Sequence, residues 1–418
     1  MNKMLTTDNY YNMMKYLNDE DFYNLLLTSK YTYKLFNVFV INYFSDLYIF
    51  RLIKHNKLNL LKLLHNNDIK LFSDDIFSFA CGYGNLEIVK FLYENRIEEC
   101  TTNAMDTAAE KGHLEIVEWL HYNTTEGCSK KAMNLAAKNG HLEIVKFLHK
   151  NRTEGCTTDA MDFAALYGHL EIVKFLHKNR TEGCTVDAMD FAAEKGYLEI
   201  VKFLHKNRTE GCTVDAMDFA ATNGHFEMVK WLYENNITKG SRFVLDNAIK
   251  KGHLQLVKWL YEHNFKKCSN DIIHLVVKNG YLEMAKFLHE NKLVVITTEI
   301  IICAALHGHL EIVQWLYENN PELYSVAVLD CAIINGHLEI VKYLFKNYKE
   351  ICSSYTMNSA IMNGHLGVVE WLYKNYNKKC SVHIINKVKH LDMSKWLNEN
   401  QGCIEKESHI LPWDIIFK

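Results

Sequence analysis

The sequence predicts an all-α protein: a helical solenoid of about 12 helix-turn-helix repeats preceded by a small helical N-terminal segment. Three observations carry that prediction. Glycines stand at Gly84, Gly112, Gly140, Gly168, Gly196, Gly224, Gly252, Gly280, Gly308, Gly336 and Gly364, each 28 residues after the last without a slip. Four residues before each glycine comes a small side chain, from Ala80 to Ala360, with Val276 as the one exception. After each glycine follows an apolar run of the Leu-Glu-Ile-Val type.

Each element of the repeat has its own signal. In "GHLEIVKFLHKN" (140–151), Leu142, Ile144, Val145, Phe147 and Leu148 are apolar, while Glu143, Lys146 and Lys150 share one face. That spacing predicts a helix buried on most of its circumference, with one solvated Glu-Lys stripe. The preceding "TTDAMDFAALYG" (157–168) predicts a shorter helix. Thr158 or Asp159 caps its start, Asp162 sits in its first turn, and Gly168 ends it in the left-handed conformation. One such hairpin cannot bury both faces of its apolar helix, so neighbouring units must stack into a continuous core. Three segments are expected: 1–50 helical, 51–400 the repeat array, and 401–418 a capping tail. Degenerate end units suit caps: Asn56 takes the glycine position of the first, and Trp413, Ile415 and Ile416 can cover the last.

The repeat "DAMDFAALYGHLEIVKFLHKN" (159–179) resembles the ankyrin repeat, whose T-P-L-H-x-A-A helix is followed by G-H-L-E-V-V-K-x-L-L. Ala164-Ala165, Gly168-His169 and the following Leu-Glu-Ile-Val carry the likeness, which recurs from about residue 56 to 397. Two departures stand out. Asp159-Ala160-Met161-Asp162 replaces T-P-L-H, so the histidine that usually bridges loops is missing, and the period is 28 residues instead of roughly 33. Short loops and a binding surface built from helix faces are therefore expected.

Before the array, "LTTDNYYNMMKYLNDEDFYNLLLTSK" (5–30) is out of phase with the repeats. Its apolar residues, interrupted at the polar "NDED", predict short helices joined by a tight turn. The stretch resembles an F-box, with Leu5 at the start, Met13-Met14-Lys15-Tyr16-Leu17 as the middle block, and Asp21-Phe22 with Leu25, Leu27, Ser29 and Lys30 as the last. The resemblance implies that Leu5, Met14, Leu17, Phe22, Leu25 and Leu27 contact a Skp-type adaptor. It further implies a substrate receptor of a cullin-RING ubiquitin ligase, with the array holding the protein target. The alternative is a plain ankyrin scaffold whose N-terminal helices only cap the solenoid.

Composition narrows the function classes. At 48% hydrophobic and 23% charged residues the chain is no disordered polymer, and a net charge of -3 argues against nucleic acid as a partner. No apolar run is long enough to span a bilayer and the start lacks a secretory pattern, so a cytoplasmic or nuclear setting with reduced cysteines is expected. No phosphate-loop, nucleophile-elbow or zinc-protease motif is present, which leaves catalytic, cofactor-binding and metal sites unassigned. The lattice cysteines, such as Cys128, Cys156 and Cys184, read as half-buried structural thiols, and the histidines after glycine as parts of the second-helix start. For the aspartates at 106, 162, 190, 218, 246 and 330 two readings stand open: helix-start electrostatics, or an acidic stripe facing a basic partner. Variation on the fixed lattice falls on the two residues before each glycine. Tyr83, Leu166, Tyr167, Leu306, His307, Ile334 and Met362 are the candidates there for contact with a protein partner.

Overall fold

The computed structural model describes residues 45–65, 76–95, 100–348 and 354–405. Leu5, Met14, Leu17, Phe22, Leu25 and Leu27 lie outside the described residues, as do Trp413, Ile415 and Ile416. The architecture is the predicted one, helix pairs at the 28-residue period with short connections; Arg152–Thr158 joins helix Leu142–Asn151 to helix Asp159–Leu166. Only one strand pairing occurs among the described residues, a parallel bridge of Cys380–Ser381 with Ile404–Glu405.

Two compact units divide the chain. The first comprises Met1–Ala216 with Trp231–Thr238, and the second Met217–Lys230 with Lys239–Lys418. In the first, the earliest described pair is Ser45–Lys54 with Leu58–His65. Its helix Ser45–Lys54 crosses the expected 50/51 boundary, burying Ile49, Leu52 and Ile53 and stacking Phe50 on Phe79 at 4.4 Å. The last α-helix described in the second unit, Leu391–Glu399, buries Met393 and Leu397.

Within each unit, first helices pack on the first helices of their neighbours. The small side chains make this close approach possible: Ala104, Ala108, Ala132, Ala136, Ala160 and Ala164 have almost no exposed surface. Second helices supply the bulk of the core through triplets such as Ile144, Val145 and Leu148. Each such side chain contributes about 1.5–3 kcal/mol by leaving water.

The glycine turn is fixed twice over. Gly140 has φ +83°, and the bonds from His141 N–H to the Ala136 carbonyl (2.9 Å) and from Gly140 N–H to the Ala137 carbonyl close the helix end in a Schellman turn. The next repeat then lays an imidazole on the glycine. A β-carbon at Gly140 would stand 2.7 Å from Cε1 of His169. The same ring bonds through Nε2 to the Lys138 carbonyl at 3.0 Å. A carbonyl only accepts, so Nε2 carries the proton. The pattern recurs in the first unit at His113 with Gly82 (2.9 Å) and His141 with Glu110 (3.2 Å), and in the second at His253 with Thr222 (3.0 Å) and His309 with Lys278 (2.8 Å). Tyr197 and Tyr281 press their rings on Gly168 and Gly252 in the same way. The histidine row does more than start helices, since each ring joins one repeat to the last.

The aspartate row resolves neither as helix-start electrostatics nor as an acidic stripe. Asp162 is buried and accepts from the N–H (2.8 Å) and hydroxyl (2.9 Å) of Thr185 in the next repeat. Asp106 does the same with Ser129, Asp190 with Thr213, and in the second unit Asp218 and Asp246 accept from the N–H groups of Ser241 and Ser269. Asp162 occupies the position of the absent bridging histidine and performs the bridge. Asn134 substitutes at the same lattice position, taking the Thr157 N–H at 3.0 Å and donating to its hydroxyl at 2.7 Å. Burial, above all, pushes the Asp162 and Asp190 carboxyls up, against the opposing effect of the bonds they accept.

A third link comes from "NRTEGC". Arg152 and Glu154 pair at 2.5 Å, and Glu154 accepts from the Cys128 N–H of the preceding repeat at 3.4 Å. Arg180 with Glu182 repeats this over Cys156. Burial works to raise the Glu154 carboxyl, but the Arg152 hydrogen bond and backbone donors outweigh it and hold it down at about 2. Beneath the clamp, burial and then the Glu154 charge push the Cys128 thiol up to about 12, leaving a protonated, unreactive side chain.

Gly140→Ala is expected to cost about 2 kcal/mol or more, because an alanine there is strained at φ +83° and strikes the His169 ring. His141→Tyr should hold the urea midpoint close to wild type, since Tyr197 and Tyr281 already fill equivalent places. At neutral pH Asp162→Asn should change stability by less than about 1 kcal/mol, whereas Asp162→Ala should lose about 1–3 kcal/mol by stranding the Thr185 donors. The clamp glutamates titrate oppositely to Asp162. Their depressed carboxyls contribute stability above the ordinary glutamate range, and this is lost as pH falls from 4.5 toward about 2. An Arg152→Gln, Arg180→Gln, Arg208→Gln variant should therefore lose less stability than wild type between those pH values.

Candidate functional site

The stacking bonds consume most of what looked chemical, and what remains is one face of the first helices. In helix Asp159–Leu166, residues 160, 161, 162, 164 and 165 are buried. Asp159, Phe163 and Tyr167 follow one another at four-residue steps, so they share the outward face. Tyr167 is 47% exposed, Phe163 is half-buried and Asp159 is exposed. The Lys138 ammonium of the preceding repeat sits over both rings, 5.7 Å from Phe163 and 5.6 Å from Tyr167.

The same steps place Asp187, Phe191 and Lys195 on the next repeat, with Lys195 bonded to Glu194 at 2.8 Å. On the preceding repeat they place Lys131, Leu135 and Asn139. Further toward the N-terminus, Tyr83 is 41% exposed and stacks on Phe79 at 4.5 Å. The second unit presents Leu275, Leu306 and Met362 as exposed apolar side chains of its own first helices.

The sequence candidates thus separate into two groups. Tyr83, Tyr167, Leu306 and Met362 are exposed. Leu166, His307 and Ile334 are only partly so. His307 is tied to its own helix, its Nδ1 lying 2.9 Å from the Cys303 carbonyl. The backbones of Leu306 and Ile334 are also engaged: Leu306 accepts from His337 at 3.0 Å and Ile334 from Asn363 at 2.9 Å. The residue two before the glycine serves stacking through its carbonyl, as at Lys138 and Leu306, although the side chain of Leu306 itself is exposed.

Phe163 and Phe191 were missed because neighbouring copies share them, and sharing marks the structural frame as readily as a surface. The available signal was their four-residue step to Tyr167 and Lys195. Among the described residues, no group of three or more histidine, cysteine, aspartate or glutamate side chains could hold a metal, and no helix is long and apolar enough to cross a membrane.

Paired helices joined by a left-handed glycine and stacked at a fixed period define a helical repeat protein. A family model described as ankyrin repeats in three copies matches residues 189–271, 245–327, 273–355 and 301–386. Another, described as ankyrin repeats in many copies, matches 77–121, 105–149 and 135–177. The chain belongs to the ankyrin repeat family, and its repeats give it a role in protein–protein interaction. No curated protein matches it.

Substitution on the open face should separate surface from frame. Tyr167→Ala should shift stability by less than about 0.5 kcal/mol. Leu148→Ala, in the buried core, should cost about 2–5 kcal/mol in the same urea titration.

Proposed function

We propose that the protein works by binding: the array holds a protein target on the exposed face of its first helices, and the chain itself does no chemistry. The row of partly exposed aromatic side chains, Phe79, Tyr83, Phe163, Tyr167 and Phe191, on helices locked by stacking bonds supports this reading most directly. Large rigid rings supply contact area at little cost in side-chain entropy. In the fuller form of the proposal, the segment 5–30 docks a Skp-type adaptor through Leu5, Met14, Leu17, Phe22, Leu25 and Leu27. The target would then be presented to a cullin-RING ubiquitin ligase in the cytoplasm or nucleus.

The plain-scaffold reading draws on a different observation. Helix Ser45–Lys54 already packs on helix Ile76–Tyr83, with Asn85 donating to the Ile53 carbonyl at 3.0 Å. This packing of residues 45–54 on the early repeats supports a capping role for the N-terminal helices.

Affinity purification of the full chain with a Skp-type adaptor tests the receptor form. Wild type should retain the adaptor, and Leu25→Ala with Leu27→Ala should lose it while leaving the array's melting midpoint unchanged. A wild-type chain that retains no adaptor leaves the plain scaffold.

A further inference from the structure

The open face of the first unit has a chemical character that narrows its partner. We propose that the face formed by Asp159, Phe163, Tyr167, Asp187, Phe191 and Asp215 docks an extended basic segment of the target protein, its cations spaced about three residues apart. The inference rests on the reading of this face as the protein-binding surface.

Two independent features point to cations. The rings already accept one: Lys138 of this same chain lies 5.7 Å from the Phe163 centroid and 5.6 Å from that of Tyr167, so a cation fits against a ring at this lattice position. The equivalent approach to Phe191 has no such lysine, because its lattice counterpart is Leu166. A partner's arginine can take the place there that Lys138 holds one repeat earlier.

Along the start of the helices runs the second feature. Asp159, Asp187 and Asp215 are exposed, and none carries an ion pair among the described residues. Asp159 has one long contact, 3.5 Å from the Asn134 amide. Their charges add to the burial that raises the carboxyls beneath them: Asp187 and Asp159 act on Asp162, and Asp215 and Asp187 on Asp190. Three exposed carboxylates without an ion pair thus stand at the start of these helices, beside the half-buried rings of Phe163 and Phe191.

Geometry then sets the partner's spacing. Successive first helices lie about 8–10 Å apart, and an extended segment of polyproline II form advances about 3.1 Å per residue with three residues per turn, so every third side chain returns to the same side and meets a new repeat. The buried aspartates are not available for this role, because Thr185 and Thr213 hold them. The exposed carboxylates stand three residues earlier, on the three consecutive helices that begin at Asp159, Asp187 and Asp215.

Fluorescence anisotropy on the full-length protein tests this. The probe is a labelled peptide of about a dozen residues with arginine at every third position in a serine-alanine background. Controls are a peptide of the same composition with its arginines adjacent, and one with glutamate in place of arginine. The arginine-every-third peptide should bind best, and its affinity should fall with added salt. Asp159→Asn, Asp187→Asn, Asp215→Asn and, separately, Phe163→Ala with Phe191→Ala should each weaken it by about tenfold. Circular dichroism melting checks that both variants remain folded. Equal binding of the three peptides, or of wild type and variants, overturns the proposal. If the glutamate peptide binds best and loses affinity in the Phe163→Ala, Phe191→Ala variant, the face still binds protein segments and only the basic partner is wrong. If no peptide binds, both the basic partner and the use of this face fall.

Discussion

A ring laid on a glycine is the contact on which the rest of this array depends. The Schellman turn at the end of each first helix needs a left-handed residue, and glycine adopts that conformation without strain. The missing side chain leaves a flat patch of backbone beside a carbonyl that the helix cannot satisfy. An imidazole from the next repeat fills the patch and donates to that carbonyl, as His169 does over Gly140 and at Lys138. One residue type at one place thereby ends a helix, admits a neighbour and fixes the neighbour's distance. The absence of any slip in the 28-residue spacing follows, because an insertion would pull the ring off its glycine.

The other two links act where the ring does not reach. Asp162 bridges to the loop before the next first helix, and the Arg152–Glu154 pair bridges to the loop behind it. Each replaces water around a half-buried loop by hydrogen bonds to charged groups, which are stronger than neutral ones. The shortened unit makes this economy understandable. With little projecting hairpin to hold repeats together, side chains of the helix and loop take over the bridging, and an aspartate does so at the position where the family usually has histidine.

Stacking engages the buried aspartates, the ring nitrogens and the loop arginines of the described repeats. The first helices expose a set of rings and carboxylates, held on helices that the stacking bonds fix in place. Pre-organised aromatic side chains on rigid helices suit recognition of another chain more than catalysis, since binding loses less entropy to ordering.

The sequence by itself determined the repeat, its period, its two helices and the glycine turn, because those follow from periodicities of 28 and 3.6 that any copy displays. It also placed Tyr83, Tyr167, Leu306 and Met362 on the surface, as residues that vary where the frame does not. It left the aspartates between two readings, neither of which included their bridge to the next repeat, and passed over Phe163 and Phe191. An aspartate in a first helical turn reads identically whether it faces water or the threonine 23 residues on, and Asp162 differs from Asp159 only in which side of the helix its neighbour covers. Only the tertiary structure decided that, since burial and hydrogen-bond partners depend on the adjacent repeat and not on the residue's own place in the pattern.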